Sequence, residues 1–350
     1  MAYSTINKSS SFMDTVIYTG TGSSKTITGI NFAPDMVWTK ARTGTSSGSN
    51  AIVDQVRGGT KKIFTDMNNA ETTDANAITA WTSDGYTMGS SGSFNTNTYT
   101  YVNWDWKANG AGSANTDGSI NSTVSINSTS KMSIVKWTGT GSNATVGHGI
   151  GIIPEMIIVK RLDTSSDWAV YHIAQNSGSS PEDYRMRLNE AQRNYATDYW
   201  QDTKPTADIF YLNGSDDVNA STGTYVAYCF TSLTGYCSIG RYIGNANANG
   251  TFIYTGFKPT WFLQKAMDGS DGDNWTIYDS VRNTSNAAGQ LLFPNSNGAE
   301  TDDGNLIDIL SNGIKVRNTS NGCNGSGRNY GYMAFGQPII SNSGVVATAR

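Results

Sequence analysis

Phe32-Ala33-Pro34-Asp35-Met36-Val37-Trp38-Thr39-Lys40 is an apolar run led by a proline and closed by a lysine, and the chain repeats the pattern twice more. It returns as Ile152-Ile153-Pro154-Glu155-Met156-Ile157-Ile158-Val159-Lys160 and as Phe257-Lys258-Pro259-Thr260-Trp261-Phe262-Leu263-Gln264-Lys265. The proline-to-lysine distance is constant, since 40 − 34, 160 − 154 and 265 − 259 all equal 6. A proline that opens a strand breaks no ladder hydrogen bond, and the unbroken apolar run behind it suits a strand buried on both faces. The lysine is then expected to mark the exit to solvent.

Working outward, each run is preceded by an apolar strand closed by glycine: Val16-Ile17-Tyr18-Thr19-Gly20, Ile134-Val135-Lys136-Trp137-Thr138-Gly139 and Gly240-Arg241-Tyr242-Ile243-Gly244. Each is followed by a shorter step, Ile52-Val53-Asp54-Gln55-Val56-Arg57 and Ile277-Tyr278-Asp279-Ser280-Val281-Arg282 in the outer thirds, but Trp168-Ala169-Val170-Tyr171-His172 in the middle one. Turn dipeptides come next, at Asp84-Gly85, Asn213-Gly214 and Asn312-Gly313, where positive φ is needed. Aromatic strands close the series: Tyr101-Val102-Asn103-Trp104-Asp105-Trp106, Tyr225-Val226-Ala227-Tyr228-Cys229-Phe230 and Tyr330-Gly331-Tyr332-Met333-Ala334-Phe335.

Units this long are duplicated domains and not solenoid repeats of about 20–50 residues. The prediction is an all-β chain of three tandem β-sandwich, jelly-roll-like domains with long polar loops, at 1–110, 111–235 and 236–350. The boundaries fall in the polar stretch 109–117 and at Thr234-Gly235; the latter leaves almost no linker, so the second and third domains are expected to pack together. Residues 181–190, opening on Pro181 with acids beside it, read as a short helix or a loop.

Composition agrees with β structure. Charged residues are only 15% and Gly numbers 38, so polarity rests on Ser, Thr, Asn and Gly, which favour turns and pleated surfaces. A net charge of -4 with no dense basic cluster argues against nucleic acid, and no apolar run approaches the roughly 20 residues of a membrane span. The start, Met1-Ala2-Tyr3-Ser4-Thr5, lacks the features of a signal peptide, so a soluble product made in the cytoplasm is expected. Cys229, Cys237 and Cys323 have no metal-ligand spacing, and a Cys229–Cys237 bridge is left open.

Chemistry is sparse. His148, between two glycines, reads as a turn residue, and His172 as a strand residue satisfied by a backbone carbonyl; neither has a nucleophile motif nearby. The acids lie in adjacent pairs such as Asp163 with Asp167, Glu182 with Asp183, Asp216 with Asp217 and Asp302 with Asp303, as in solvated turns and unlike a glycosidase's facing carboxylates. Residues 268–274 have oxygen ligands at close spacing but lack the distal Glu of a calcium loop, and read as a hairpin tip. Asp54/Arg57 and Asp279/Arg282 read as ion pairs of modest folding value. No catalytic residue, metal or cofactor is expected. Among the aromatics, Trp38, Trp104, Trp137, Tyr228 and Phe335 belong to core patterns, whereas Trp81, Tyr199, Trp200 and Trp275 lie near polar loops. With Tyr195 they make Tyr195, Tyr199, Trp200 and Trp275 the candidate binding residues, because tyrosine and tryptophan among Ser, Gly and Asn grip targets at low entropic cost.

The order of a Gly-closed strand, a Pro-led strand ending in Lys, an Asp-x-x-Arg step, a Gly turn and a Tyr-Val-x-Trp closing strand resembles a domain of unknown function recurring in phage genomes. Tyr101-Val102-Asn103-Trp104-Asp105-Trp106-Lys107-Ala108 carries it most strongly, and the other thirds follow more loosely. The resemblance implies a bacteriophage virion component, namely a non-enzymatic tail-fibre or tail-associated protein binding other virion proteins, or a host cell-surface glycan or protein, as a homo-oligomer such as a trimer. The rivals are a capsid decoration or cement protein and a glycan-degrading tailspike. His172 in place of Asp and the missing closing Trp in the later thirds put equal roles for the three in doubt.

Overall fold

The Pro-led runs form strands Met36–Ala41, Met156–Arg161 and Phe257–Ala266, each paired on one side with the closing strand of its own third: Thr100–Trp106, Thr224–Phe230 and Asn329–Pro338. These pairings come from a computed structural model that describes residues 4–44, 50–269 and 271–340; residues 1–3 of the start read above, and Ser270, lie outside them. The same strand order recurs three times, with the Gly-closed strand, the closing strand, the Pro-led strand and the short Asp or His strand side by side and antiparallel. A smaller sheet covers each: Lys25–Ile27 with Gly85–Met88 and Ile78–Thr82; Ala144–Gly147 with Ile209–Leu212; and Phe252–Tyr254 with Gly313–Val316, Thr301–Leu310 and Ala288–Leu291. The fold is all-β, and every named sheet is built from strands of one third.

Period-2 alternation divides each closing strand between two cores. Tyr101, Tyr225 and Tyr330 face outward against the small sheets, stacking on Tyr18, Trp137 and Tyr242 with ring centroids 5.2, 5.3 and 4.8 Å apart. Each phenol accepts from the backbone N–H five residues back, at Thr96, Ala220 and Gly325. Trp104 and Trp106, Tyr228 and Phe230, and Met333 and Phe335 point inward, into one apolar cluster drawn from all three thirds. Trp106, Phe230 and Phe335, at equivalent positions, stand in a triangle with centroids 6.4, 6.0 and 6.0 Å apart. The thirds therefore surround a common pseudo-threefold axis. Each keeps an outer core beneath its small sheet, but none owns the central one.

The closing lysines do not exit to solvent, and that expectation is corrected. Lys40, Lys160 and Lys265 are at most 1% exposed. Each ammonium donates to a carbonyl of the preceding third: Lys40 to Ser296 at 2.8 Å, Lys160 to Asn68 at 3.1 Å and Lys265 to Ala191 at 3.0 Å. Burial pulls all three pKa values down to about 8. An amphipathic chain ending an apolar run usually snorkels; here a neighbouring third covers its tip and supplies acceptors.

The closing glycines have a steric cause. A Cβ at Gly20, Gly139 or Gly244 would come within 2.1–2.3 Å of the carbonyl oxygen of Thr96, Ala220 or Gly325. Just past them, a fully buried amide orders the loop: Asn95, Asn219 and Asn324 accept from the N–H of Thr21, Thr140 and Asn245. Residues 181–190 form one 3-10 turn, Pro181–Asp183, followed by the strand Tyr184–Arg187. All three cysteines are free and buried, so no Cys229–Cys237 bridge forms. No helix of the described residues is long and apolar enough to cross a membrane.

Candidate functional site

The seams between the thirds carry the same contacts, in cyclic order, with one exception. At the seam of the first and second thirds, Asp54 accepts from the Tyr228 hydroxyl at 2.7 Å and from Arg57 Nε at 2.6 Å, and Arg57 Nη1 reaches Glu71 at 3.0 Å. Between the third and the first, Asp279 accepts from Trp104 Nε1 at 3.0 Å and from Arg282 Nε at 2.5 Å, and Arg282 Nη1 reaches Glu300 at 2.9 Å. Burial opposes the Arg57 charge, yet Asp54, Tyr228 and Glu71 hold its pKa above the ordinary arginine value. Glu71 and Glu300 are placed by donating their N–H groups to the carbonyls of Leu162 and Arg42.

Between the second and third thirds all three charged positions are neutral. Asn194 donates its N–H to Met267 O as Glu71 and Glu300 do to their partners, His172 stands for the Asp, and Gln175 stands three residues on for the Arg. At the position of Trp104 and Tyr228 the third segment carries Met333, which has no donor to offer a carboxylate. His172 solves the same local problem differently. Its Nδ1 accepts from Ala174 N at 3.0 Å, capping the turn, and Nε2 donates to Tyr332 O at 3.1 Å. That is the backbone-satisfied strand histidine expected from sequence; burial lowers its pKa to about 4.

This seam holds an open cleft of about 340 Å3. Its walls are Asn176, Ser177 and Tyr184 with the run from Arg193 to Ala196 on one side, and Met267, Asp268 and Asn329 on the other. The connection from the Asp or His strand to the next is longest here: Asp54 to Lys61 spans 7 positions and Asp279 to Ala288 spans 9, but His172 to Tyr184 spans 12. The extra residues are held in left-handed backbone at Asn176 (φ 48°), Ser177 (φ 58°) and Ser180 (φ 45°), conformations that cost non-glycine residues free energy and persist where surroundings impose them. Tyr195 donates to Asp271 at 2.5 Å, and Arg193 lies over its ring, 5.8 Å from the centroid. That hydrogen bond raises the phenol's pKa and lowers that of Asp271. Across the cleft, Asp268 accepts from the Asn329 side chain at 2.7 Å and from its N–H at 3.1 Å. Gln175 is fully buried, and its Nε2 has no hydrogen-bond partner among the described residues.

Of the four aromatics picked from sequence, the structure places Tyr195 in this cleft. Tyr199 lies apart, half-buried, donating to Asp217 at 2.7 Å beneath the Arg185 guanidinium. Trp200 and Trp275 are corrected: each is 1% exposed and anchors a polar loop from beneath. Trp200 Nε1 donates to Tyr184 O at 2.9 Å, while Trp275 Nε1 crosses the seam to Arg187 O at 2.9 Å. Trp168, four residues before His172 as Trp275 is before Asp279, likewise crosses to Phe64 O. Sequence reasoning missed Asn176, Ser177, Arg193 and Asn194; the signal was the same departure at His172, extended to Gln175 and Asn194.

The lining of the cleft is amides, a hydroxyl and tyrosines with one arginine, Arg193, and one aspartate, Asp268, and among the described residues no cluster of three or more His, Cys, Asp or Glu side chains gathers as metal ligands would. The sequence profile of a family described as Domain of unknown function (DUF7483) matches residues 8–338. No curated protein matches the chain.

Proposed function

The chain belongs to the DUF7483 family of domains of unknown function, and from that premise we propose that it is a non-enzymatic bacteriophage virion structural protein, tail-fibre or tail-associated, that attaches to a host surface or to neighbouring virion subunits. The observation that carries the reading is the polar, preordered cleft at the one seam where the repeated Asp–Arg–Glu arrangement is absent. A scaffold that repeats its contacts twice and abandons them once has been released from a folding constraint there, and conserving the backbone bridge at Asn194 keeps the walls in place.

Loop placement supports the same reading. Both linkers, after the closing strands, are tied to the Pro-led strands at one end of the axis, where Asp35 accepts from Ala108 N and Glu155 accepts from Ser232 N. The Gly/Ser/Asn loops that follow Gly20, Gly139 and Gly244 lie at the opposite end of the same strands, since Thr19 pairs with Thr100 and Thr138 with Thr224. The three segments 1–110, 111–235 and 236–350 are, on this reading, copies of one unit that present equivalent loops at one end. Fluorescently labelled full-length protein tests the proposal: it should decorate host cells or isolated tails. Binding to emptied capsids alone would favour a cement role, and shortening of host polysaccharide would make it an enzyme.

A further inference from the structure

We infer that the cleft between the second and third segments binds an uncharged saccharide; this deepens the attachment reading above and rests on it for biological meaning. Three observations lead there. The volume of about 340 Å3 lies at the small end of the ~300–1,000 Å3 found for small-molecule sites, which suits a short oligosaccharide end. Its lining holds the amides of Asn176, Asn194 and Asn329 and the Ser177 hydroxyl; the Asn176 amide is oriented by Ser179 O and the Asn329 amide by Asp268 and Arg241, and each keeps a second N–H or lone pair, so donors and acceptors stand together as a sugar hydroxyl needs. Tyr184 and Tyr195 add ring surface of the amphipathic kind that packs against the C–H face of a pyranose.

Charge narrows the class. Arg193 and Asp268 stand in the wall; behind them Arg241 donates to Asn329 Oδ1 at 3.0 Å and Asp271 accepts from Tyr195. The lining itself carries one charge of each sign, Arg193 and Asp268, and each is already held by protein partners, Arg193 by Gly269 O and Asp268 by Asn329 and Arg328, so neither sign is left in excess to select a charged sugar. Among the described lining residues the apolar surface comes from Met267, Ala196 and the two tyrosine rings, interleaved with amides and a hydroxyl, the mixed surface that a sugar's C–H and O–H groups match. The polar groups are also fixed beforehand: Arg193 N–H and Tyr195 O–H both hold Asp271, and the strained turn at Asn176 and Ser177 sets that wall, so little ordering remains for binding to oppose.

The test applies full-length protein to a printed array carrying neutral hexose and N-acetylhexosamine oligomers beside uronic-acid, sialylated and amine-bearing ones. Wild type should retain neutral spots only. Tyr195→Ala and Asn176→Ala should each weaken that signal about tenfold or more, and Ala196→Trp, which fills the cleft from an exposed position, should abolish it. Tyr254→Ala, on a distant exposed strand, should change nothing. Matching circular dichroism and melting of the variants separates lost binding from lost folding. Retention of charged glycans alone, of none, or equally by wild type and Ala196→Trp overturns the inference. Staining host cells with the same variants distinguishes the two proposals: equal staining by wild type and Ala196→Trp leaves attachment standing and sinks the cleft, whereas absence of staining with neutral spots retained sinks the attachment reading alone.

Discussion

Asp54→Ala should be far more damaging than a surface acid, because it removes the hub of a buried seam. The carboxylate is fully buried and takes three hydrogen bonds: from Arg57 N at 2.9 Å, Arg57 Nε at 2.6 Å and Tyr228 Oη at 2.7 Å. Breaking a buried pair by removing one partner costs about 3–5 kcal/mol, since the remaining charge stays desolvated. Arg57 keeps Glu71 at 3.0 Å and the carbonyls of Ile52 and Lys61, so the expected loss lies near the low end, about 3 kcal/mol. Tyr228→Phe removes one bond to a charged acceptor, worth roughly 1.5–3 kcal/mol. Because the two residues share that bond, the double variant should cost less than the sum by about 1–2 kcal/mol. Urea unfolding followed by tryptophan fluorescence gives all four free energies. A loss under about 1 kcal/mol for Asp54→Ala, with additive singles, would refute the reasoning, since residues in different segments would then be energetically independent.

Other outcomes follow from the same seams. His172 has a folded pKa near 4 against about 6.5 unfolded, so its contribution is complete above pH 6.5 and is lost as pH falls toward 4; relative to His172→Gln, wild type should lose about 3 kcal/mol across that window in pH-resolved melts. Lys160 has its pKa depressed to about 8 from 10.5, so wild type should gain about 3 kcal/mol on Lys160→Met as pH rises from 8 to 10.5, and a flat difference would show the ammonium to be hydrated. Trp275→Phe removes the indole donor to Arg187 O at the seam and should cost about 1–3 kcal/mol, with the loss of a tryptophan emission that acrylamide quenches poorly.

Much of this architecture was written in repetition. The Pro-led runs, the closing glycines and the aromatic strands are each forced by local sterics or alternation, which is why the all-β class and the order of strands could be read from one chain. The lysines could not. Lys40, Lys160 and Lys265 follow an apolar run as a snorkelling residue would, and what buries them is a loop of another segment more than 70 positions away in each case, from Lys265 to Ala191 at the nearest. Trp200 and Trp275 failed for a related reason: polar neighbours in sequence mark the loop that an indole supports from beneath as readily as one it decorates. The shared central core was invisible because period-2 alternation shows that two faces are buried, but not that one of them meets two other sheets. His172 was noticed as a departure, yet its meaning needed Met333, Gln175 and Asn194, whose correspondence with Trp104, Arg57 and Glu71 only the seam contacts reveal.

Hydrogen exchange on Asp54→Ala tests the closed ring most directly. If three segments share one core and lock in cyclic order, the substitution should lower protection in the closing strands Thr224–Phe230 and Asn329–Pro338 as much as in Thr100–Trp106. Faster exchange confined to residues 4–110, with the other two closing strands at wild-type protection, would contradict it and leave three independent sandwiches on a string.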